Sequence, residues 1–258
     1  MMRPYLDTFS LSGKIALITG AGRGLGLAIA KAMAGSGAHV ILNGRDPGRL
    51  GDTAGSITAA GQEASTAPFD VADPVAVRTA FDEIARTHGH LDILIHNVGA
   101  RNRKPLLEFS DEEIRDLVET NLVAGFTLAR EAARLMLPRQ SGRLIAITSI
   151  AGHVARSGDA VYTGAKHGLT GMVRALAAEY GPFGITSNAI APGGFATEAN
   201  EAMLADPKIA EHFSARTALG RWGRPEEIAG AAVFLASPAA SYITGHVLTI
   251  DGGLTIKM

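Results

Sequence analysis

The 258-residue sequence contains no cysteine, which excludes disulfide bridges, thiolate metal sites and cysteine nucleophiles together. An excess of either charge is lacking too. Lys and Arg number 24 against 25 Asp and Glu, a net charge of -1, so neither a nucleic-acid footprint nor a basic membrane patch is expected. No apolar run approaches the roughly 20 residues that a membrane span needs. The segment Met1–Lys14 has no apolar stretch of signal-peptide type, and its Asp7 argues against a transit peptide. These absences lead us to expect a cytoplasmic protein with no nucleic-acid or membrane partner. Against them stands a hydrophobic content of 47%, enough for one sizeable core and hence one domain over residues 1–258. Eighteen of the 24 cations are arginine, the residue suited to bidentate binding of phosphate and carboxylate.

Short β-branched runs alternate with longer Ala-rich helical patterns. Strands are predicted at Lys14–Thr19, His39–Asn43, Ala64–Phe69, Leu91–His96, Arg143–Thr148, Thr186–Ile190 and His246–Ile250. Between them fall helices at about Leu25–Ser36, Pro47–Ala60, Pro74–His88, Asp111–Met136 and Ala160–Tyr180. Such regular alternation predicts an α/β fold, a Rossmann-type doubly wound parallel sheet of about seven strands with helices on both faces. The crossovers should be right-handed. Gly193–Arg224 breaks the rhythm, being helical in part but without a strand. An insertion there sits beyond a strand end, where ligands bind in such sheets, and reads as a substrate lid.

The first strand runs into Thr19-Gly20-Ala21-Gly22-Arg23-Gly24-Leu25-Gly26, which opens a helix. Glycine spacing alone is weak, because the chain holds 31 glycines. Placement supplies the specificity. A Gly-rich turn between first strand and first helix aims backbone N–H groups and the helix dipole at a pyrophosphate. Gly20 permits the tight turn, Gly24 close approach to phosphate, and Gly26 packing of helix on strand. A dinucleotide site that takes NAD usually has a carboxylate at the end of the second strand. Here that strand ends Asn43-Gly44-Arg45, and Arg45 with Arg23 is suited to a 2′-phosphate. NADP(H) is therefore favoured over NAD(H). Asp46 leaves a choice open: it can reach a ribose or cap the helix that begins at Pro47.

Tyr162 and Lys166 lie four apart on a predicted helix and share a face. A phenol titrates near pH ~10 unless a neighbouring cation stabilises the phenolate, so the pair suits acid/base work near neutrality. Ser149 follows the predicted strand Arg143–Thr148 at its carboxyl end, where its hydroxyl can polarise a carbonyl oxygen.

With these residues the sequence resembles the classical short-chain dehydrogenase/reductase family over nearly its whole length. Thr19–Gly26, Leu25 included, resembles the family's glycine loop, and Tyr162–Lys166 its Y-x-x-x-K. Ser149 stands thirteen residues before Tyr162, the family's usual spacing. The resemblance implies the strand order 3-2-1-4-5-6-7 and further assignments. Asp70 and Val71 become the adenine contact, and His96-Asn97-Val98-Gly99 the family's N-N-A-G, departing from it at His96 and Val98. Asn121 completes a catalytic tetrad with Ser149, Tyr162 and Lys166. Pro192, Gly193 and Thr197 hold the nicotinamide amide, and Ile250–Gly253 form the closing strand and turn. The implied chemistry is hydride exchange between nicotinamide and a carbonyl or secondary alcohol. In it Tyr162 passes the proton, Lys166 orients the ribose, and Asn121 holds a water linking Lys166 to solvent. His96 is expected to be a buried, hydrogen-bonded group, not a catalyst. The resemblance also implies a homotetramer, joined through the last strand and two long helices.

Within the family, Ile41–Asp46, Arg103–Leu106 and Arg221–Glu227 resemble gluconate 5-dehydrogenase-like members, which implies a sugar-acid substrate such as 5-ketogluconate. The 3-oxoacyl-carrier-protein reductases share most of these motifs and are the nearest alternative. A non-catalytic NADP(H) sensor on the same fold is the alternative of another class. Arg101, Arg103, Lys104, His153 and Arg156 fall in loops after the fourth and fifth strands, where they can border a substrate opening and bind a carboxylate. The same cluster also fits a solvated loop or a subunit contact. Phe195, Met203, Leu204 and Phe213 give the lid an apolar side that suits a bulky ketone.

Overall fold

The computed structural model describes residues 5–257, apart from the side chain of His212. Met1–Pro4 of the segment read for targeting signals, and Met258, lie outside the described residues. In chain order the elements are β1 (Ile15–Ile18), α1 (Gly24–Gly35), β2 (His39–Gly44), α2 (Pro47–Ala59), β3 (Ala64–Pro68) and α3 (Pro74–His88). Then come β4 (Ile93–His96), α4 (Asp111–Val118), α5 (Ala124–Met136), β5 (Gly142–Ile147), α6 (Ala160–Tyr180) and β6 (Ile185–Pro192). The chain ends with α7 (Glu201–Ala205), α8 (Pro207–Arg216), α9 (Glu226–Ala236) and β7 (Val247–Ile250).

All seven strands are parallel, in the order β3-β2-β1-β4-β5-β6-β7. Side chains alternate across such a sheet with period two. Ile18, Leu42 and Ile95 accordingly pack in one cluster with Ile29 and Met33 of α1 and Ile228 of α9. Their chain neighbours Leu17, Ile41 and Leu94 pack on the other face with Val77 and Phe81 of α3 and Leu128 of α5. Several helix starts are written locally. Asp46, Asp73 and Asp206 each accept backbone N–H groups at an N-cap, with proline in the first turn. Ser110 and Glu113 form a reciprocal capping box at α4.

Two features depart from the sequence expectation. The helix expected over Asp111–Met136 is divided by a π-helical turn at Glu119–Val123. Helix α9 was not foreseen: its apolar residues face nearly all ways, so no amphipathic stripe announces it, and it packs beside α1. No described helix is long and apolar enough to cross a membrane.

At the amino end of the sheet Asp92 joins three strands. Its buried carboxylate accepts from the backbone N–H of Ile15 at 2.9 Å and from Lys14 Nζ at 3.1 Å. Its own N–H donates to the Ile15 carbonyl, and its carbonyl accepts from Arg143. Asp92→Ala strands the Ile15 N–H and should lower stability by about 2 kcal/mol, read as a fall in the urea midpoint without a change in slope.

Candidate active site

The glycine loop joins β1 to α1. Gly20 and Gly24 have φ of +64° and +54°, the left-handed region that other residues resist. A Cβ at Gly26 would overlap the carbonyl oxygen of Gly20, so the helix meets the loop only because residue 26 has no side chain. Asn97 stitches β4 to this loop. Its backbone N–H donates to Thr19 Oγ1 at 2.9 Å, and its Nδ2 donates to the carbonyls of Thr19 and Gly20. Exposed Arg23 precedes α1 and makes no side-chain cap, so the first-turn N–H groups of α1 remain available to an anion.

Arg45 lies 3.7 Å from Asp70, both groups being exposed. Asp46 accepts from Arg49 N–H at 3.1 Å, so it caps α2. The stem of Arg49 covers Gly22, which puts a further guanidinium-bearing side chain beside the loop. The sequence carried no signal for this, since Arg49 reaches Gly22 only once α2 has packed beside β2 and α1. Asp70 accepts from Ala72 N–H, and Val71 is buried.

Four side chains meet beyond the carboxyl ends of β4 and β5. Asn121 sits within the π-helical turn, a single-turn widening common at functional sites. Fully buried, it donates from Nδ2 to the carbonyls of Ala100 and Leu117 at 2.8 and 2.9 Å. Its Oδ1 has no partner among the described residues. Ser149 follows β5, buried, and accepts from Ala151 N–H at 3.1 Å. Tyr162 and Lys166 lie on the buried face of α6, with Lys166 Nζ 5.6 Å from the phenol ring centroid and 3.3 Å from the Ile147 carbonyl. Gly99 leaves this group its space: a Cβ there would stand 3.0 Å from Asn121 Oδ1 and 3.3 Å from Lys166 Nζ.

Burial pushes the Tyr162 phenol upward. The ammonium of Lys166 and the guanidinium of Arg101, with hydrogen bonds from Arg101 and Ser149, outweigh it and hold the pKa below the ordinary phenol value. Burial likewise lowers the Lys166 pKa, against the pull of Tyr162. His96 departs from expectation. It is buried at the end of β4, but neither ring nitrogen has a hydrogen-bond partner among the described residues. Its surroundings are largely apolar, with Leu94, Gly125, Ala129 and Met172 lining the same small cavity. Burial and then the charge of Lys166 push its pKa down to about 3, so the ring is neutral.

The cationic cluster is resolved into parts. Lys104 Nζ binds Glu113 at 2.6 Å, and Arg103 Nε binds buried Asp159 at 3.2 Å. Arg101 lies over Tyr162, with its Nη2 3.4 Å from the phenol oxygen. Arg156 is exposed and, like Arg101, near enough to Arg103 to depress its pKa beyond the effect of burial. His153 is exposed after the short turn that follows Ser149.

Pro192 ends β6, and Gly193 is pressed against Asp251, to which a Cβ would come within 2.6 Å. Thr197 and Glu198 lie beside Gly24, so the segment from 193 returns to the glycine loop. Phe195 is buried against Gly223, and Phe213 stacks on Trp222 at 4.1 Å while covering Gly194. These two rings are engaged within the segment itself. Met203 Sδ lies 4.0 Å from Arg103, and Leu204 is half-buried. Among the described residues no group of three or more His, Asp or Glu side chains is placed to hold a metal ion.

A sheet of this order, with a glycine loop after β1 and Tyr and Lys one turn apart beside a strand-end serine, defines a dinucleotide-dependent oxidoreductase class. The sequence model of the family described as "Enoyl-(Acyl carrier protein) reductase" matches residues 20–255, and the chain belongs to this short-chain dehydrogenase/reductase family. It is 44% identical over 252 residues to a gluconate 5-dehydrogenase of Gluconobacter oxydans, covering 98% of each chain. It is 38% identical over 245 residues to the 3-oxoacyl-[acyl-carrier-protein] reductase FabG of Escherichia coli, covering 95% of this chain and 98% of that one. The crystal structure of a gluconate 5-dehydrogenase from Burkholderia cenocepacia, in complex with NADP and tartrate, superimposes with a TM-score of 0.95. That protein is 38% identical, and the match covers 99% of this chain and all of the other.

Gly99→Ala should cut turnover of a ketone with reduced nicotinamide cofactor by about ten-fold while leaving thermal unfolding nearly unchanged. Equal turnover in parent and variant would mean that Asn121 and Lys166 do not need the space.

Proposed function

We propose that this protein is an NADP(H)-dependent oxidoreductase that interconverts the keto and hydroxy forms of a sugar acid of the 5-ketogluconate/gluconate type. The observation that carries the proposal is the buried phenol of Tyr162, held between the Lys166 ammonium, the Ser149 hydroxyl and Arg101. The residues fit the cofactor. Gly20, Gly24, Leu25 and Gly26 cradle the pyrophosphate, and Arg23 and Arg45, with the stem of Arg49 over Gly22, face the 2′-phosphate, which favours NADP(H) over NAD(H). Asp70 and Val71 border the adenine, Asn97 and Gly99 support the loop and the ribose side, and Pro192, Gly193 and Thr197 meet the nicotinamide end. When bound, the cofactor supplies or accepts the hydride.

The protein's own groups do the remaining work. Ser149 donates to the reacting oxygen and concentrates charge on it. Tyr162 gives that oxygen its proton in reduction and removes it in oxidation. Lys166 keeps the phenolate accessible near neutrality, and the uncommitted Oδ1 of Asn121 is suited to a water that carries the proton away. Residues 193–224 act as the lid, within one domain spanning 1–258. A sugar-acid carboxylate is favoured by the arginines at the mouth: Arg101, Arg103 and Arg156 stand near one another, and Asp159 answers only one of them. The complete set of four reacting groups disfavours a non-catalytic sensor. A homotetramer in the cytoplasm belongs to the same proposal, on the family resemblance. The half-exposed β7 and the exposed Phe126 of α5 are candidate contacts.

Tyr162→Phe should lower turnover by about a thousand-fold while NADPH binding, followed by fluorescence, changes little. In a panel of 5-ketogluconate, an acetoacetyl thioester and a neutral ketone, 5-ketogluconate should be reduced best. Preference for the thioester would replace this reading with that of a 3-oxoacyl reductase.

The lowered phenol pKa also sets a pH dependence. Oxidation needs the phenolate, so its rate should rise as pH climbs through that pKa. Reduction needs the phenol and should fall over the same range. Lys166→Met should move both limbs to higher pH, as initial rates across a pH series will show.

A further inference from the structure

The side chain of Arg101 is not accounted for by the four reacting groups. It leaves the loop after β4, two residues beyond Gly99, and is largely exposed. Its guanidinium carbon lies 4.8 Å from the centroid of the Tyr162 ring, and its Nη2 lies 3.4 Å from the phenol oxygen. Its neighbours on the loop are occupied elsewhere, Arg103 by Asp159 and Lys104 by Glu113. Among the described residues Arg101 meets no carboxylate within ion-pair distance. Lys166 approaches the same ring from the buried side, through α6. Two cations therefore stand near the phenol, Lys166 buried and Arg101 exposed.

We propose that Arg101 is a positioning residue for the acid/base step. Its guanidinium covers the Tyr162 ring from the solvent side and holds the phenol oxygen, sharing with Lys166 the stabilisation of the phenolate. This rests on the reading of Tyr162 as the acid/base group. The physical basis is a planar cation over an aromatic face with one N–H directed at the oxygen, a geometry that guanidinium provides and ammonium reproduces only in charge. The ionisable groups acting on the phenol are Lys166 from α6 and Arg101 from the β4 loop, with the Ser149 hydroxyl after β5 as a hydrogen-bond donor. Arg103 and Asp159, at the entrance of α6, neutralise each other. The two cations also differ in their exposure to salt. An exposed charge is screened over a Debye length of about 10 Å at 0.1 M salt, whereas the buried Lys166 is screened far less.

The test is a tyrosinate absorbance titration of the full-length protein without substrate. Spectra of Tyr162→Phe, in the same background, are subtracted to isolate this phenol among the four tyrosines. Arg101→Met keeps a long stem without the charge, and it should move the Tyr162 titration to higher pH. Arg101→Lys should restore most of the shift. Added salt should move the parent titration upward and leave Arg101→Met nearly unmoved. At neutral pH and saturating substrate, kcat for oxidation by Arg101→Met should fall by about five-fold, and equally for gluconate and for a neutral secondary alcohol. An unmoved titration in Arg101→Met overturns the inference. So does a loss confined to KM for the sugar acid, which would make Arg101 a carboxylate anchor alone. Full turnover by Tyr162→Phe would instead end the functional reading, while the titration still reports whether Arg101 acts on the phenol.

Discussion

A charged ammonium buried in a protein is costly unless something nearby needs its charge. Lys166 is in that position, and much of the site is arranged around it. Its Nζ is enclosed by the end of β5, by the ring of Tyr162 and by the space that Gly99 leaves open. The attraction between this cation and the phenol oxygen, with the contributions of Arg101 and Ser149, lowers the Tyr162 pKa against the effect of burial. It also makes the pair far less dependent on salt than a surface contact of the same two residues. Enlarging Gly99 disturbs it directly, and displacing the π-helical turn removes the Asn121 side chain from beside it.

The parallel sheet explains why these groups can meet. Each strand delivers its chain to the same edge, and the loops after β1, β4, β5 and β6 therefore converge. Asn97 hydrogen-bonds the loop after β1 to the strand end of β4, so the proposed cofactor cradle and the reacting groups form one rigid unit. Around the mouth, charges are sorted by pairing. Lys104 and Arg103 are held by carboxylates, which leaves Arg101 and Arg156 to act on whatever lies in the opening. The segment between β6 and α9 is secured at its two ends by Phe195 on Gly223 and Phe213 on Trp222. Its half-buried Met203 reaches the arginines, with Sδ 4.0 Å from Arg103 Nη1.

Much of this was legible in the residues. Alternating apolar strands and helices led to the parallel sheet, and the family resemblance to its strand order. The glycine loop was legible because only glycine tolerates the conformations at positions 20 and 24 and the contact at 26. Three features stayed hidden for identifiable reasons. Helix α9 has apolar residues on nearly all sides, so it shows no stripe. The π-helical turn adds one residue to a ladder whose periodicity looks continuous in the sequence. His96 reads as an ordinary polar residue at a strand end, and only the packing of Gly125, Ala129 and Met172 around it shows that its nitrogens go unpaired.

Local order and residue chemistry thus determined the strand succession, the capped helix starts, the glycine turn, and the pairing of a tyrosine with a lysine one helical turn away. These depend on interactions within a few residues, where sequence distance and spatial distance agree. The tertiary structure alone decided that Arg101 touches Tyr162, that Arg103 and Lys104 are neutralised by Asp159 and Glu113, and that the stem of Arg49 lies over Gly22. Each of those contacts joins separate elements, and long flexible side chains choose among partners only after the folded chain has brought the partners near.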